Sequence, residues 1–94
     1  MINTIDGMEV KCSGEVPTLI IRNQDRPGMV AHVTASLAAH KINIARMHLY
    51  RNVRGGNAVM VVETDEKIPY EEVERLAEEE DILKITYIIQ EEGK

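Results

Sequence analysis

The sequence predicts one α+β domain, with elements in the order β-α-β-β-α-β over residues 18 to 90. Three observations predict it. Apolar runs rich in Ile, Val and Thr fall at 18–23, 43–53, 58–64 and 82–90, bounded by polar or glycine-containing turns. Two segments between them, 27–40 and 70–80, repeat apolar residues at helical spacing. The length, 94 residues, is that of one small domain.

The first fifteen residues stand apart as a hairpin and linker, and the domain itself is placed at 16–92. Asn3 to Val10 reads as a short hairpin with Asp6-Gly7 at its turn, and Ser13-Gly14-Glu15 as a connector. Thr18 to Asn23 is the first strand of the main pattern, β-branched and apolar. Asp25 is placed as the N-cap of the first helix, with Pro27 in its first turn. Val30, Val33 and Leu37 form that helix's apolar face, which runs to about His40. Arg54 to Asn57 is a turn whose glycines permit positive φ, joining strands 43–53 and 58–64. The second helix, Tyr70 to about Glu80, is held by Val73, Leu76 and Ala77. Ile82 to Gln90 is the last strand.

This order is the split βαβ, or ferredoxin-like, arrangement: a four-stranded antiparallel sheet with both helices on one face. Right-handed crossovers put strands 18–23 and 58–64 at its centre. Helices on one face require only one apolar set per strand. Yet Val59 and Val61 alternate with Ala58, Met60 and Val62, and Ile82, Thr86 and Ile88 with Leu83, Ile85 and Ile89. A second cover is therefore expected: the hairpin, a second copy or a larger parent protein. Ile42 and Ile44 also differ in parity from Met47 and Leu49, which predicts a bulge near Ala45-Arg46.

Charge and composition narrow the function. Residues 1–62 carry seven basic and four acidic side chains, and residues 63–94 four and twelve. No basic stripe suits nucleic acid. The apolar content is 44%, too high and too periodic for disorder. No apolar run approaches the roughly 18 residues of a membrane span. No basic head and apolar stretch marks a signal peptide at the start. The single cysteine, Cys12, excludes a disulfide scaffold or a Cys-rich metal site, and a reducing cytoplasm is the expected setting.

No catalytic constellation and no metal site is expected. His32, His40 and His48 lack ligand spacing and read as surface residues. Cys12 has no adjacent base and reads as a packing residue. Glu78 to Asp81 reads as a solvated run, and Met29, Met47 and Met60 as core.

The strongest local signal is Asn23-Gln24-Asp25-Arg26-Pro27-Gly28-Met29. A strand ends there and a helix begins within four residues. Free N–H groups at a helix start hold anions, and Gly28 leaves room for close approach. Asn23 and Asp25 supply acceptors, and Asn43 is placed at the same end of the sheet. Donors for a carboxylate beside acceptors for an ammonium suit an amino-acid zwitterion. The alternative is purely structural: Asp25 caps, Pro27 starts the helix and Gly28 permits packing.

At these residues the sequence resembles the ACT domain, a regulatory module of amino-acid-metabolism enzymes. The resemblance covers residues 18–90 and rests on Asp25-Arg26-Pro27-Gly28-Met29-Val30, on Lys41-Ile42-Asn43-Ile44-Ala45, and on Arg51 with Gly55 to Asp65. It implies pairing of copies and binding of a small amino acid at Asn23, Asp25, Arg26, Gly28, Met29 and Asn43. Two positions depart from serine-binding members: Asn23 stands where a histidine is frequent, and Asp25 where Asn is common. The lead-in Ile5 to Val10, with Gly14 and Pro17-Thr18-Leu19, resembles the C-terminal ACT domain of iron–sulfur L-serine dehydratase β chains. The ACT domain of D-3-phosphoglycerate dehydrogenases is the next resemblance. The dehydratase resemblance implies a chain that is the end of a longer protein and is not an enzyme alone. It also implies L-serine as effector, a homodimer, and a partner α chain or catalytic domain. This chain itself would bind no cofactor: the parent's iron–sulfur cluster would sit elsewhere. A structural dimerisation module that binds nothing is the remaining reading.

Overall fold

The chain folds as β1 (Ile2–Ile5), β2 (Met8–Lys11), β3 (Thr18–Gln24), α1 (Met29–Ala39), β4 (Ile44–Asn52), β5 (Asn57–Thr64), α2 (Tyr70–Ala77) and β6 (Ile82–Ile88). The computed structural model describes residues 2–5, 8–11, 16–52 and 56–89. β1 and β2 pair as the expected hairpin, in the register Ile5↔Met8. The turn placed at Asp6-Gly7, the connector 13–15, Cys12 and the first half of the turn 54–57 lie outside the described residues. No described helix is long and apolar enough to cross a membrane.

β4-β5-β3-β6 is the strand order of the four-stranded sheet, antiparallel throughout. This is the ferredoxin-like arrangement, with β3 and β5 central. Leu19, Ile21, Met60 and Val62 face α1 and α2, and join Met29, Val33, Leu37, Ile42, Val73, Leu76 and Ile82 in the main core. Tertiary packing of this face holds the two short helices, which would be marginal alone.

The other sheet face is closed as well. Ile20, Val59 and Val61 are at most 4% exposed, with Tyr50 and Ile88 against them. One chain alone achieves this burial, so neither a second copy nor a parent body is required for it. β2 of the hairpin approaches β4, an edge strand of this sheet.

Two bulges set which residues reach the core. The expected one falls between Ile44 and Arg46, so Ile44 and Met47 both pack toward the helices. The second lies between β3 and β6 at Arg22/Asn23. It was not expected from alternation, which put Ile82 and Ile85 on opposite faces. The shifted register sends both to the same core.

Three helix assignments are corrected. α1 begins at Met29 with Gly28 as its N-cap, and no side chain caps it. Asp25 is therefore not the cap, and Pro27 lies in the preceding turn. The α1 face that is buried is Met29, Val33, Ser36 and Leu37, while Val30 is exposed. A buried hydrogen bond accompanies the rotation: Ser36 Oγ turns inward and donates to the Glu72 carboxylate of α2. α2 ends at Ala77, which is exposed, and Glu72 takes the third inward position beside Val73 and Leu76.

α1 closes with the paired bonds of a Schellman motif. Lys41 N–H donates to Ala38 O at 2.9 Å and Ile42 N–H to Leu37 O at 3.0 Å. Lys41 takes φ +60°, the left-handed conformation that this motif usually gives to glycine. Ile42 and Leu37 meet in the core, the apolar contact that accompanies the motif.

Candidate functional site

The turn between β3 and α1 is held from two sides. Gln24 N–H donates to Asp81 O at 2.8 Å, and Asp25 N–H to Gly56 O at 2.8 Å. Gly28 turns the chain into the helix at φ +88°, in the left-handed region. A side chain there would meet no atom within 4 Å, so its role is backbone conformation and open space above the helix end. The N–H groups of Val30 and Ala31 have no acceptor one turn back in the helix, and the macrodipole makes this end positive.

A cleft of about 280 Å3 opens at this point, lined by Pro27, Gly28, Met29, His32, Glu79, Glu80 and Asp81. One wall is the start of α1, the other the connection from α2 to β6. Two contacts cross between the walls: His32 Nε2 lies 3.4 Å from Glu79 Oε2, and Arg26 Nη1 pairs with Asp81 at 3.6 Å. These pairs are largely exposed, so each is worth little on its own. Chemically, the cleft offers N–H donors on one wall and carboxylate acceptors on the other.

Of the six residues expected to bind, Gly28 and Met29 line the cleft and Arg26 bridges it. Asn23 lies just beneath the turn at 1% exposure. Its Nδ2 donates to Gln24 O at 2.7 Å, and its Oδ1 is buried without a partner. Asp25 is engaged elsewhere: its Oδ2 accepts from Arg51 Nε at 2.9 Å.

Asn43 is not brought to this end. Gln24 pairs with Asn57 at the turn end of the sheet, while Thr18 pairs with Glu63, and Ile44 with Thr64, at the other. The strand length, roughly 20 Å at about 3.4 Å per residue, separates Asn43 from its own cleft. The reason is topological: a crossover helix returns the chain to the sheet's opposite end before a parallel strand starts. Asn43 is bound to the loop after β5. Its N–H donates to Glu66 Oε1 at 2.8 Å, its Nδ2 to Asp65 Oδ2 at 2.6 Å, and its carbonyl accepts from Asp65 N–H at 3.0 Å.

His32, Glu79, Glu80 and Asp81 line the cleft but were read as surface. The signal was available in the element order. β6 runs antiparallel to β3, so the α2–β6 connection must fall at the end of the sheet where β3 gives way to α1. No group of three or more His, Cys, Asp or Glu side chains suited to a metal ion occurs among the described residues.

Fold and cleft together define a ferredoxin-like module with a cleft beside the turn between β3 and α1. Residues 17–81 match the model of the ACT domain, and the chain belongs to that family of regulatory modules. It is 35% identical over 88 residues to a D-3-phosphoglycerate dehydrogenase of Methanocaldococcus jannaschii, covering 94% of this chain and 17% of that protein. It is 30% identical over 87 residues to a probable L-serine dehydratase β chain of Bacillus subtilis, covering 93% of this chain and 40% of that protein. The chain thus spans well under half the length of either relative.

Proposed function

We propose that this chain is the amino-acid-sensing and subunit-contact domain of an L-serine dehydratase, the enzyme that converts L-serine to pyruvate and ammonia, with L-serine as its effector. The observation that carries the reading is the cleft. Open N–H groups and the dipole of α1 suit a carboxylate. Glu79 and Asp81 across the cleft suit an ammonium. Both requirements are those of an α-amino acid. The likeness to a β chain over 93% of this chain supports the parent.

Pairing of two copies completes the reading. β4 is an edge strand, and Leu49 on its helix side is 44% exposed. Antiparallel pairing of two β4 edges would bring one copy's strand start toward the other copy's turn, and Asn43 would then serve a cleft it does not reach in its own chain. The dehydratase's iron–sulfur cluster would be held elsewhere in the parent. A cluster takes several thiolates, and this sequence has one cysteine.

A second reading has its own support. The 35% identity to a D-3-phosphoglycerate dehydrogenase favours an ACT domain of that enzyme class, in serine biosynthesis. Both readings share the effector. Calorimetric titration with L-serine, with L-alanine and glycine as comparisons, tests it: saturable serine binding is expected in the micromolar to millimolar range for so small a ligand. No heat at tens of millimolar would leave a structural dimerisation module. The chain encoded upstream, a dehydratase body or a dinucleotide-binding domain, decides between the parents.

A further inference from the structure

α1 is turned about its axis relative to the stripe of its own apolar residues. Val30, Val33 and Leu37 make that stripe, whereas Met29, Val33, Ser36 and Leu37 are the residues buried. At about 100° per residue the two faces differ by roughly 50°. Val30 is left 37% exposed while Ser36 sits at 8%. Burial of apolar surface alone favours the reverse choice. A polar contact must outweigh it.

That contact is on α2. The Glu72 carboxylate is 2% exposed. Ser36 Oγ donates to Glu72 Oε2, and Arg75 Nη2 donates to Ser36 Oγ. Arg75 also reaches Oε1 through Nε at 3.0 Å and Oε2 through Nη2 at 2.9 Å. Burial opposes the charge of Glu72, but hydrogen bonds from Arg75 and Ser36 and the charges of Arg75 and His40 outweigh it and hold its pKa below the ordinary 4.5. A buried carboxylate that loses a donor is costly, so Glu72 keeps Ser36 turned inward.

The same rotation sets the cleft. Met29, His32 and Ser36 recur at spacings of three and four, which puts them on one face of α1. Met29 and His32 line the cleft and Val30 does not. The opposite wall is the connection that leaves α2, where Glu79 Oε2 lies 3.4 Å from His32 Nε2. Ser36–Glu72 and His32–Glu79 are thus two contacts along one α1–α2 seam.

We propose that Ser36, Glu72 and Arg75 are positioning residues for the cleft: their clasp holds α1 at the rotation that turns Met29 and His32 toward the α2–β6 connection, against the apolar pull of Val30. This role rests on the cleft being the effector site.

Calorimetric titration of the whole chain with L-serine tests the clasp. Ser36→Ala keeps a good helix former, and Arg75 still reaches both Glu72 oxygens, so the variant should fold. It should weaken serine binding by about 3- to 10-fold, the worth of roughly one misplaced hydrogen bond. Ile20→Val, on the other sheet face, controls for lost stability and should bind as wild type does. Val30→Ser in the Ser36→Ala background removes the apolar pull and should recover most of the affinity. Wild-type affinity in Ser36→Ala, an equal loss in Ile20→Val, or no recovery with Val30→Ser overturns the proposal. If wild type itself does not bind L-serine, the effector reading fails, and Val30 still decides the clasp. Relaxation of its methyl protons by a soluble paramagnetic agent should then be weaker in Ser36→Ala than in wild type, and equal relaxation overturns the clasp.

Discussion

Asp25, at the end of β3, and Arg51, near the end of β4, form an ion pair at 2.9 Å between Oδ2 and Nε. It ties the candidate effector turn to the β4–β5 hairpin, which also holds it through the Gly56 carbonyl. An acidic residue that suits an ammonium is thus already neutralised by a guanidinium within its own chain. An effector's ammonium would have to compete with Arg51 for Asp25, while Glu79 and Asp81 line the cleft, Asp81 already paired there with Arg26. Arg51→Met tests the relationship. The pair is partly exposed, so stability should change by less than about 1 kcal/mol. Serine affinity measured by calorimetry should rise if Asp25 takes part in binding, and unchanged affinity would assign the ammonium to the α2–β6 wall alone.

Gly28 should be replaceable by residues that accept left-handed backbone. Gly28→Asn should cost less than Gly28→Leu, because φ +88° penalises most side chains by roughly 1–2 kcal/mol while Asn tolerates this region better. No steric clash adds to the penalty. Chemical denaturation of both variants gives the comparison. Equal losses would point to a packing role for Gly28 and away from backbone conformation.

Asn43→Ala removes the hydrogen bond from Nδ2 to Asp65. The site is exposed, so the stability loss should lie near the low end of about 0.5–1.5 kcal/mol. The main-chain bonds to Glu66 and from Asp65 remain. If a paired copy supplies Asn43 to the cleft, serine affinity should fall in the dimer. Titration at protein concentrations above and below the dimerisation constant checks it: an equal affinity for wild type and variant removes Asn43 from the site.

Lys41→Gly should stabilise the chain. Lys41 occupies φ +60° at the end of α1, where glycine carries no side-chain penalty. A gain of about 0.5–1 kcal/mol is expected after the added entropy of the unfolded glycine. Thermal and urea unfolding measure it. A loss would mean that the lysine side chain makes a contact worth more than the strain.

Acid should weaken the interhelical contact through Glu72. Its pKa in the folded chain is lowered from 4.5. A depressed carboxylate contributes stability that is fully present above its unfolded value and is lost as pH falls through the folded one. The contribution should therefore be complete at pH 6 and disappear in the range below about 4.5. Glu72→Gln should cost about 1–3 kcal/mol at pH 7 through the weakened bonds to Ser36 and Arg75. It should also flatten the acid limb of the stability curve, and an unchanged limb would assign acid sensitivity to other carboxylates.

Element order and strand pairing were legible in the sequence, because each strand is a β-branched run between turn residues and each helix repeats at its own period. The bulge between Ile44 and Arg46 was legible for the same reason: a parity break between Ile44 and Met47 has only one physical remedy in a strand. The bulge opposite Arg22/Asn23 was not, since the Ile82-Leu83 and Ile85 pattern satisfies either register and only pairing with β3 selects one. The start of α1 also escaped local reasoning. Asp25 and Pro27 are good helix-starting residues, but Asp25 was claimed by Arg51, which comes from a strand 26 positions later. The turn 23–29 as a place for chemistry came from sequence, because the dipole and the glycine are local properties. Its opposite wall and the exclusion of Asn43 came only with tertiary structure, because both depend on which end of the sheet a connection returns to. Sequence alone settled what each segment is. Long-range pairing decided which side chains it meets, since a register shift of one residue or a competing ion pair changes a side chain's partner without changing its local conformation.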